Sequence, residues 1–161
     1  MMKKIKYICW DMDGTIADLY AVEGWEAKLN AHDVEPYKVA KAIHDMKKLA
    51  ELMHKAQEKG IEIHVTSWLA KNTDRKYNKE VRQAKKAWLA RNGFPYDKFH
   101  GVKFGTTKAN CIRKEIHTNQ LAILIDDNAK VRKGWNFGAA LDPTRENFLE
   151  VLEKILEKMH G

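Results

Sequence analysis

The chain has 161 residues, 44% of them apolar, enough for about one domain with a core of its own. Charged residues make up 32% and are mixed in sign, which excludes wholesale disorder, and no apolar run nears the roughly 20 residues of a membrane span. The net charge of +7 is concentrated: residues 1–70 carry 10 basic and 11 acidic side chains, residues 71–91 carry 8 and 2, and residues 92–161 carry 11 and 9. Met1-Met2-Lys3-Lys4 leads only into a short apolar stretch ending at Asp11, so it reads as a first strand and not as a leader. Cys9 and Cys111 read as isolated core thiols, which places the protein in a reducing cytoplasm.

In chain order, Lys4–Trp10 is the first predicted strand and Ala17–Asn30 is weakly helical. Asp33 and Pro36 start a long helix over Tyr37–Lys59, with Val39, Ile43, Met46, Ala50 and Met53 as its apolar stripe and Gly60 as its stop. Ile61–Val65 is a second strand ending at Thr66-Ser67. Thr73–Arg91 is a helix with Tyr77, Val81, Ala84 and Trp88 on one face. A short strand at Gly101–Phe104, a helix at Thr107–His117 and a buried strand at Leu121–Ile125 follow. Gly138–Leu141 is a weak last strand, and Asp142-Pro143 caps a final helix with Phe148, Leu152, Ile155 and Met159 inward. This alternation predicts one α/β domain: a Rossmann-like three-layer α/β/α sandwich around a mainly parallel sheet.

The chemistry lies at the predicted strand ends, where such sheets bind ligands. Asp11 and Asp13 share one side of an extended chain after the first strand, and Asp126-Asp127 ends the strand at 121–125. If the two strands are neighbours, four carboxylates meet. Their repulsion calls for Mg²⁺ and an anionic substrate that the ion bridges. The seven histidines show no ligand spacing and read as surface or strand residues.

Together these residues resemble the haloacid dehalogenase-like superfamily of phosphohydrolases. Asp11-Met12-Asp13-Gly14-Thr15 looks like its first motif, Val65-Thr66-Ser67 its second, and Ile125-Asp126-Asp127-Asn128 its fourth, while Lys108 stands where the third-motif lysine is expected, with Lys103 as the competing choice. The resemblance implies a phosphoric monoester hydrolase in which Asp11 is the nucleophile and Asp13 the general acid and base. It also implies Mg²⁺ held by Asp11, the Asp13 carbonyl, Asp126 and Asp127, with the split between Asp126 and Asp127 left open. Thr66, Ser67 and Lys108 would bind the phosphoryl group.

Specificity in this superfamily usually comes from an inserted cap. Here only about residues 16–35 are available for one, so a minimal or absent cap over an open site is expected. Lys71 and Arg75 follow Thr66, and Lys130, Arg132 and Lys133 follow Asp127, with Trp68 among them. Cations beside stacking rings suit a nucleotide or a nucleic-acid end. The local likeness to 5′(3′)-deoxyribonucleotidase-like proteins, including small phage-type members, points the same way. Two alternatives stand beside the nucleotidase: a phosphatase of DNA or RNA 3′ or 5′ ends, and a non-catalytic nucleic-acid or protein binding module on the same fold.

Overall fold

The computed structural model describes residues 3–71 and 74–159. The main sheet has five strands: β1 (Lys4–Trp10), β4 (Glu62–Trp68), β5 (Lys98–Val102), β6 (Gln120–Ile125) and β7 (Ala140–Leu141), in the order β5-β4-β1-β6-β7. Every pairing in it is parallel. β2 (Ala17–Asp18) and β3 (Lys41–Ala42) form a separate antiparallel ribbon. The helices are α1 (Trp25–Asn30), α2 (Glu35–Val39), α3 (Met46–Glu58), α4 (Arg75–Arg91), α5 (Asn110–Arg113), α6 (Ala129–Lys133) and α7 (Phe148–Lys158).

Side-chain alternation along the central strands divides the core in two. Ile8 and Trp10 of β1, with Ile123 and Ile125 of β6, face α3, α4 and α7 through Leu49, Leu52, Met53, Trp88, Leu89, Phe148, Leu152 and Leu156. Tyr7, Cys9, Ala122 and Leu124 face the other way, onto Ala109, Ile112 and Trp135. The sheet is therefore covered on both faces, as an all-parallel sheet requires. The fold is α/β and Rossmann-like. Cys9 is buried, Cys111 half-buried, and both are free thiols. Among the described residues no helix is long and apolar enough to cross a membrane.

The long helix expected over Tyr37–Lys59 is broken. α2 ends at Val39, β3 follows, and α3 starts afresh after Asp45, whose carboxylate accepts from Lys48 N at 3.1 Å. Val39 and Ile43, placed on the apolar stripe, are 53% and 38% exposed, and the buried face of α3 is Leu49, Leu52, Met53 and Ala56. The regular spacing from Val39 to Met53 hides the break, because Val39 and Ile43 repeat at helical intervals without belonging to the buried face of α3. The final helix starts at Phe148, and Asp142 instead closes a turn by accepting from Thr144 N and Oγ1. β5 lies at Lys98–Val102, three residues earlier than expected, and β4 runs on through Thr66, Ser67 and Trp68. α5 is only four residues long. The helix start at Thr73, the leading pair Met1-Met2 and His160 lie outside the described residues.

Candidate active site

β1 sits where the chain's connections reverse direction, with β4 on one side and β6 on the other, and ligands bind at such switch points. Trp10 pairs with both Val65 and Ile125, so the next residues, Asp11, Thr66 and Asp126, emerge side by side. Asp11 N donates to Ile125 O at 2.9 Å and locks that alignment. Carboxylate oxygens of Asp11, Asp126 and Asp127 lie within 4.8 Å of one another.

A tight loop holds the first carboxylate. Thr15, fully buried, donates from its hydroxyl to Asp11 Oδ2 at 2.9 Å and accepts from Asp127 N at 3.1 Å. It thereby ties the loop after β1 to the end of β6. Gly14 has φ 80°, and a Cβ there would run into the Asp127 carboxylate and stand 2.8 Å from the Tyr20 ring, so only glycine fits.

Two buried lysines divide the site. Lys108 Nζ contacts Asp11 Oδ1 at 2.5 Å and Asp126 Oδ2 at 3.0 Å. Burial works against its charge, but Asp11 and Asp126 outweigh burial and hold the ammonium above its ordinary range. Lys103 is exposed, and no contact ties it to these carboxylates. Lys85, from the buried stripe of α4, donates to Asp13 Oδ2 at 2.7 Å, Ser67 Oγ at 2.6 Å and Trp68 O at 2.9 Å, with the Tyr37 ring 4.8 Å away. Nothing in the motifs names Lys85. Its spacing from Val81 and Leu89, four residues each way on the buried face, is the signal that marks it.

Burial pushes the Asp13 carboxyl up and Asp11 adds to the push, against the pull of Lys85. Asp126 is raised by burial and by Asp11. Asp127 is pushed up to about 7, first by burial, then by its hydrogen bond with Asp11 and the charges of Asp11 and Asp126. Three hard oxygen donors that repel one another in this way fit Mg²⁺. Asp13's carboxylate is outside that trio, committed to Lys85.

Above these groups is a cavity of about 540 Å³, within the range of small-molecule sites. Asp11, Asp13, Lys108, Asp126 and Asp127 form its floor. One wall comes from residues between β2 and β3: Leu19, Tyr20, Trp25, Leu29 and Tyr37, with Tyr20 against Trp25 at 5.1 Å between ring centroids. Trp68 and Phe104 also line the cavity, their ring centroids likewise 5.1 Å apart, with Lys71 Nζ 5.6 Å over the Phe104 ring. Of residues 16–35, where a small cap is expected, Leu19, Tyr20, Trp25, Glu26, Leu29 and Asn30 line the cavity, and Tyr37 lines it as well.

The other anticipated residues are placed unevenly. Thr66 and Ser67 are buried inside β4, and the Ser67 hydroxyl is engaged by Lys85. Arg75, Lys130 and Lys133 are exposed and do not line the cavity. Arg132 turns inward, donating to Asp126 O at 2.9 Å and standing 3.6 Å from Asp142.

No known sequence family and no curated protein matches the chain. Among solved structures, a chain of the Pnkp1/Rnl/Hen1 RNA repair complex is similar over 88% of this chain and 42% of that one, with TM-score 0.56 and 18% identity. The protein therefore spans under half of that neighbour's length, and the likeness is one of fold. A D,D-heptose 1,7-bisphosphate phosphatase from Burkholderia thailandensis aligns over 95% of this chain and 99% of that one, with TM-score 0.49 and 12% identity.

Proposed function

We propose that the protein is a Mg²⁺-dependent phosphomonoesterase of the haloacid dehalogenase-like type, acting on nucleotides through an aspartyl-phosphate. The observation that carries the proposal is the convergence of Asp11, Asp126 and Asp127 within 4.8 Å, with Lys108 bridging two of them. Asp11 is the nucleophile. With Oδ1 held by Lys108 and Oδ2 by Thr15, its carboxylate is oriented before substrate arrives. Asp13 is the general acid, and its raised carboxyl suits the protonated form that the leaving oxygen needs. In the second step it takes a proton from the water that opens the acyl phosphate. Lys85 fixes the direction in which Asp13 points.

Asp11, the Asp13 carbonyl, Asp126 and Asp127 would hold Mg²⁺, which neutralises the phosphoryl oxygens and the crowded carboxylates. Lys108 adds the fixed positive charge beside Asp11. Thr66, beside Asp11 in register, is assigned to a phosphoryl oxygen. Ser67 serves the site through Lys85.

The cavity supports a nucleotide as substrate, because two aromatic pairs line it and a base can stack on such rings. A second reading, a phosphatase of nucleic-acid ends, draws support from the neighbour found in an RNA repair complex and from Lys71 at the rim. The test is phosphate release from nucleotides, sugar phosphates and phosphorylated oligonucleotides at fixed salt, with Mg²⁺ and then with EDTA. Metal-dependent release from nucleotides is expected. An absence of turnover on every substrate removes the enzymatic reading. Preference for oligonucleotides, with a steep fall as salt rises, favours the second.

A further inference from the structure

A second polar cluster lies on the α5 side of the sheet, away from the acidic floor. Residues 62, 64, 66 and 68 of β4 share one face, and register sets His64 beside Lys98 and Thr66 beside His100 of β5. His64 is 1% exposed, while His100 and Glu115 are half-buried. His64 Nδ1 stands 2.9 Å from His100 Nε2 and 3.9 Å from Glu115 Oε2, and ligand atoms of all three residues lie within 4.8 Å of one another.

The plainer reading is a hydrogen-bonded pair of core imidazoles. Two observations go past it. Glu115 Oε2 is buried and has no hydrogen-bond partner among the described residues, whereas buried polar atoms are normally satisfied. On the far side of His64, Glu62 Oε1 lies 3.0 Å from Nε2. A carboxylate only accepts, so Nε2 donates to it and Nδ1 presents its lone pair inward. That carboxylate–imidazole arrangement is how proteins orient a histidine that ligates a metal.

We propose that His64, His100 and Glu115 bind a divalent transition metal of the zinc class, with Glu62 as the carboxylate that orients His64. Two imidazoles and one carboxylate, with a water in the fourth position, are a zinc-type donor set, distinct from the all-carboxylate trio at Asp11. Tetrahedral ligands on bonds of about 2.0–2.1 Å stand roughly 3.4 Å apart, midway between the 2.9 and 3.9 Å observed. Binding therefore needs one gap to open and the other to close by about half an ångström. His100 must also carry its proton on Nδ1 so that Nε2 offers its lone pair to the ion. Lys98 pairs with Glu115 Oε1 and lies 3.6 Å from Glu62, which leaves Glu115 Oε2 for the ion and the cluster with one surplus negative charge. The ion would pin Glu115 to β4 and β5, and with it the segment through α5 that begins at Lys108.

The test is titration of the full chain with Zn²⁺, following the imidazole resonances by NMR and the melting temperature. One equivalent is expected to shift the rings of both His64 and His100 and to raise the melting temperature. The same titration should bind about 10- to 100-fold more weakly in Glu62→Gln, and Glu115→Gln should bind more weakly still. Unmoved imidazoles at excess Zn²⁺, a shift of one ring alone, or undiminished affinity in Glu115→Gln would each overturn the site. The wild-type NMR arm stands even if a variant folds poorly.

Discussion

The two sides of the candidate active site are built on different principles. Toward β6, Asp11, Asp126 and Asp127 crowd like charges together and offset them with one lysine, Lys108. Toward β4 and α4, Asp13 is singly paired with Lys85, which is itself 0% exposed and held by Ser67 and the Trp68 carbonyl. The first side is short of positive charge and fits an ion. The second pairs one carboxylate with one lysine at the edge of the cavity. A site that must bind a cation with one aspartate and move a proton with another gains by keeping those environments apart.

The most severe way to break this contrast is to remove the nucleophile while keeping the shape. Asp11→Asn should lower phosphatase turnover by at least about 10⁴-fold. Its melting temperature should hold or rise, since one member of a repelling trio is gone. Turnover near wild type, measured beside a melt, would remove Asp11 from the role assigned to it.

Lys85→Met breaks the other side and should show the opposite balance. The substitution leaves Asp13 half-buried without its partner, and removing one member of a buried pair costs about 3–5 kcal/mol. Turnover should fall by about 10²- to 10⁴-fold, because Asp13 loses its orientation as acid. Denaturant unfolding and a pH–rate profile together check this. A stable variant with an unchanged profile would show that Asp13 is positioned by something else.

How much of this was legible follows the same division. The β6 side was readable because its residues sit in tandem at strand ends: Asp11 after Trp10, and Asp126-Asp127 after Ile125. The parallel sheet followed from alternating elements. Lys85 was not legible from motifs, because an isolated lysine inside a basic helix reads as solvated unless its register with Val81 and Leu89 is followed. The ribbon at β2 and β3 leaves no sequence signal because two-residue strands carry no periodicity, and the helical spacing from Val39 to Met53 masks the break between α2 and α3. The His64–His100 meeting was invisible for a simpler reason: parallel register brings together residues 36 apart, with no local spacing to announce it.

Metal removal sharpens the comparison at an intermediate level. Mg²⁺ at 100 times its dissociation constant should stabilise the folded chain by about 2.7 kcal/mol, and EDTA should reverse that. In Asp127→Asn the increment should shrink markedly, whereas in Lys85→Met it should persist on the lower baseline. Loss of the increment in Lys85→Met alone would mean that the two sides are one coupled unit. Thermal melts of the three chains, with and without Mg²⁺, decide it.

The smallest effect is expected at α6, where the basic residues after Asp127 have separate fates. Arg132 reaches back to the Asp126 carbonyl and toward Asp142, so it braces the loop that carries the acidic pair. Lys130 and Lys133 are exposed and stand outside the cavity lining. The double variant Lys130→Ala/Lys133→Ala should change stability by less than about 0.5 kcal/mol and leave KM for nucleotides nearly unchanged. For a phosphorylated oligonucleotide the salt dependence should also hold, since only a lysine that contacts its phosphates would, when lost, lower the slope of log affinity against log salt, by about 0.7 per contact on a single strand. A rise in KM for both substrates would place these lysines at the phosphate itself. A flattened slope for the oligonucleotide alone would instead make α6 a track for polymer substrates, and the nucleic-acid-end reading would then be the better one.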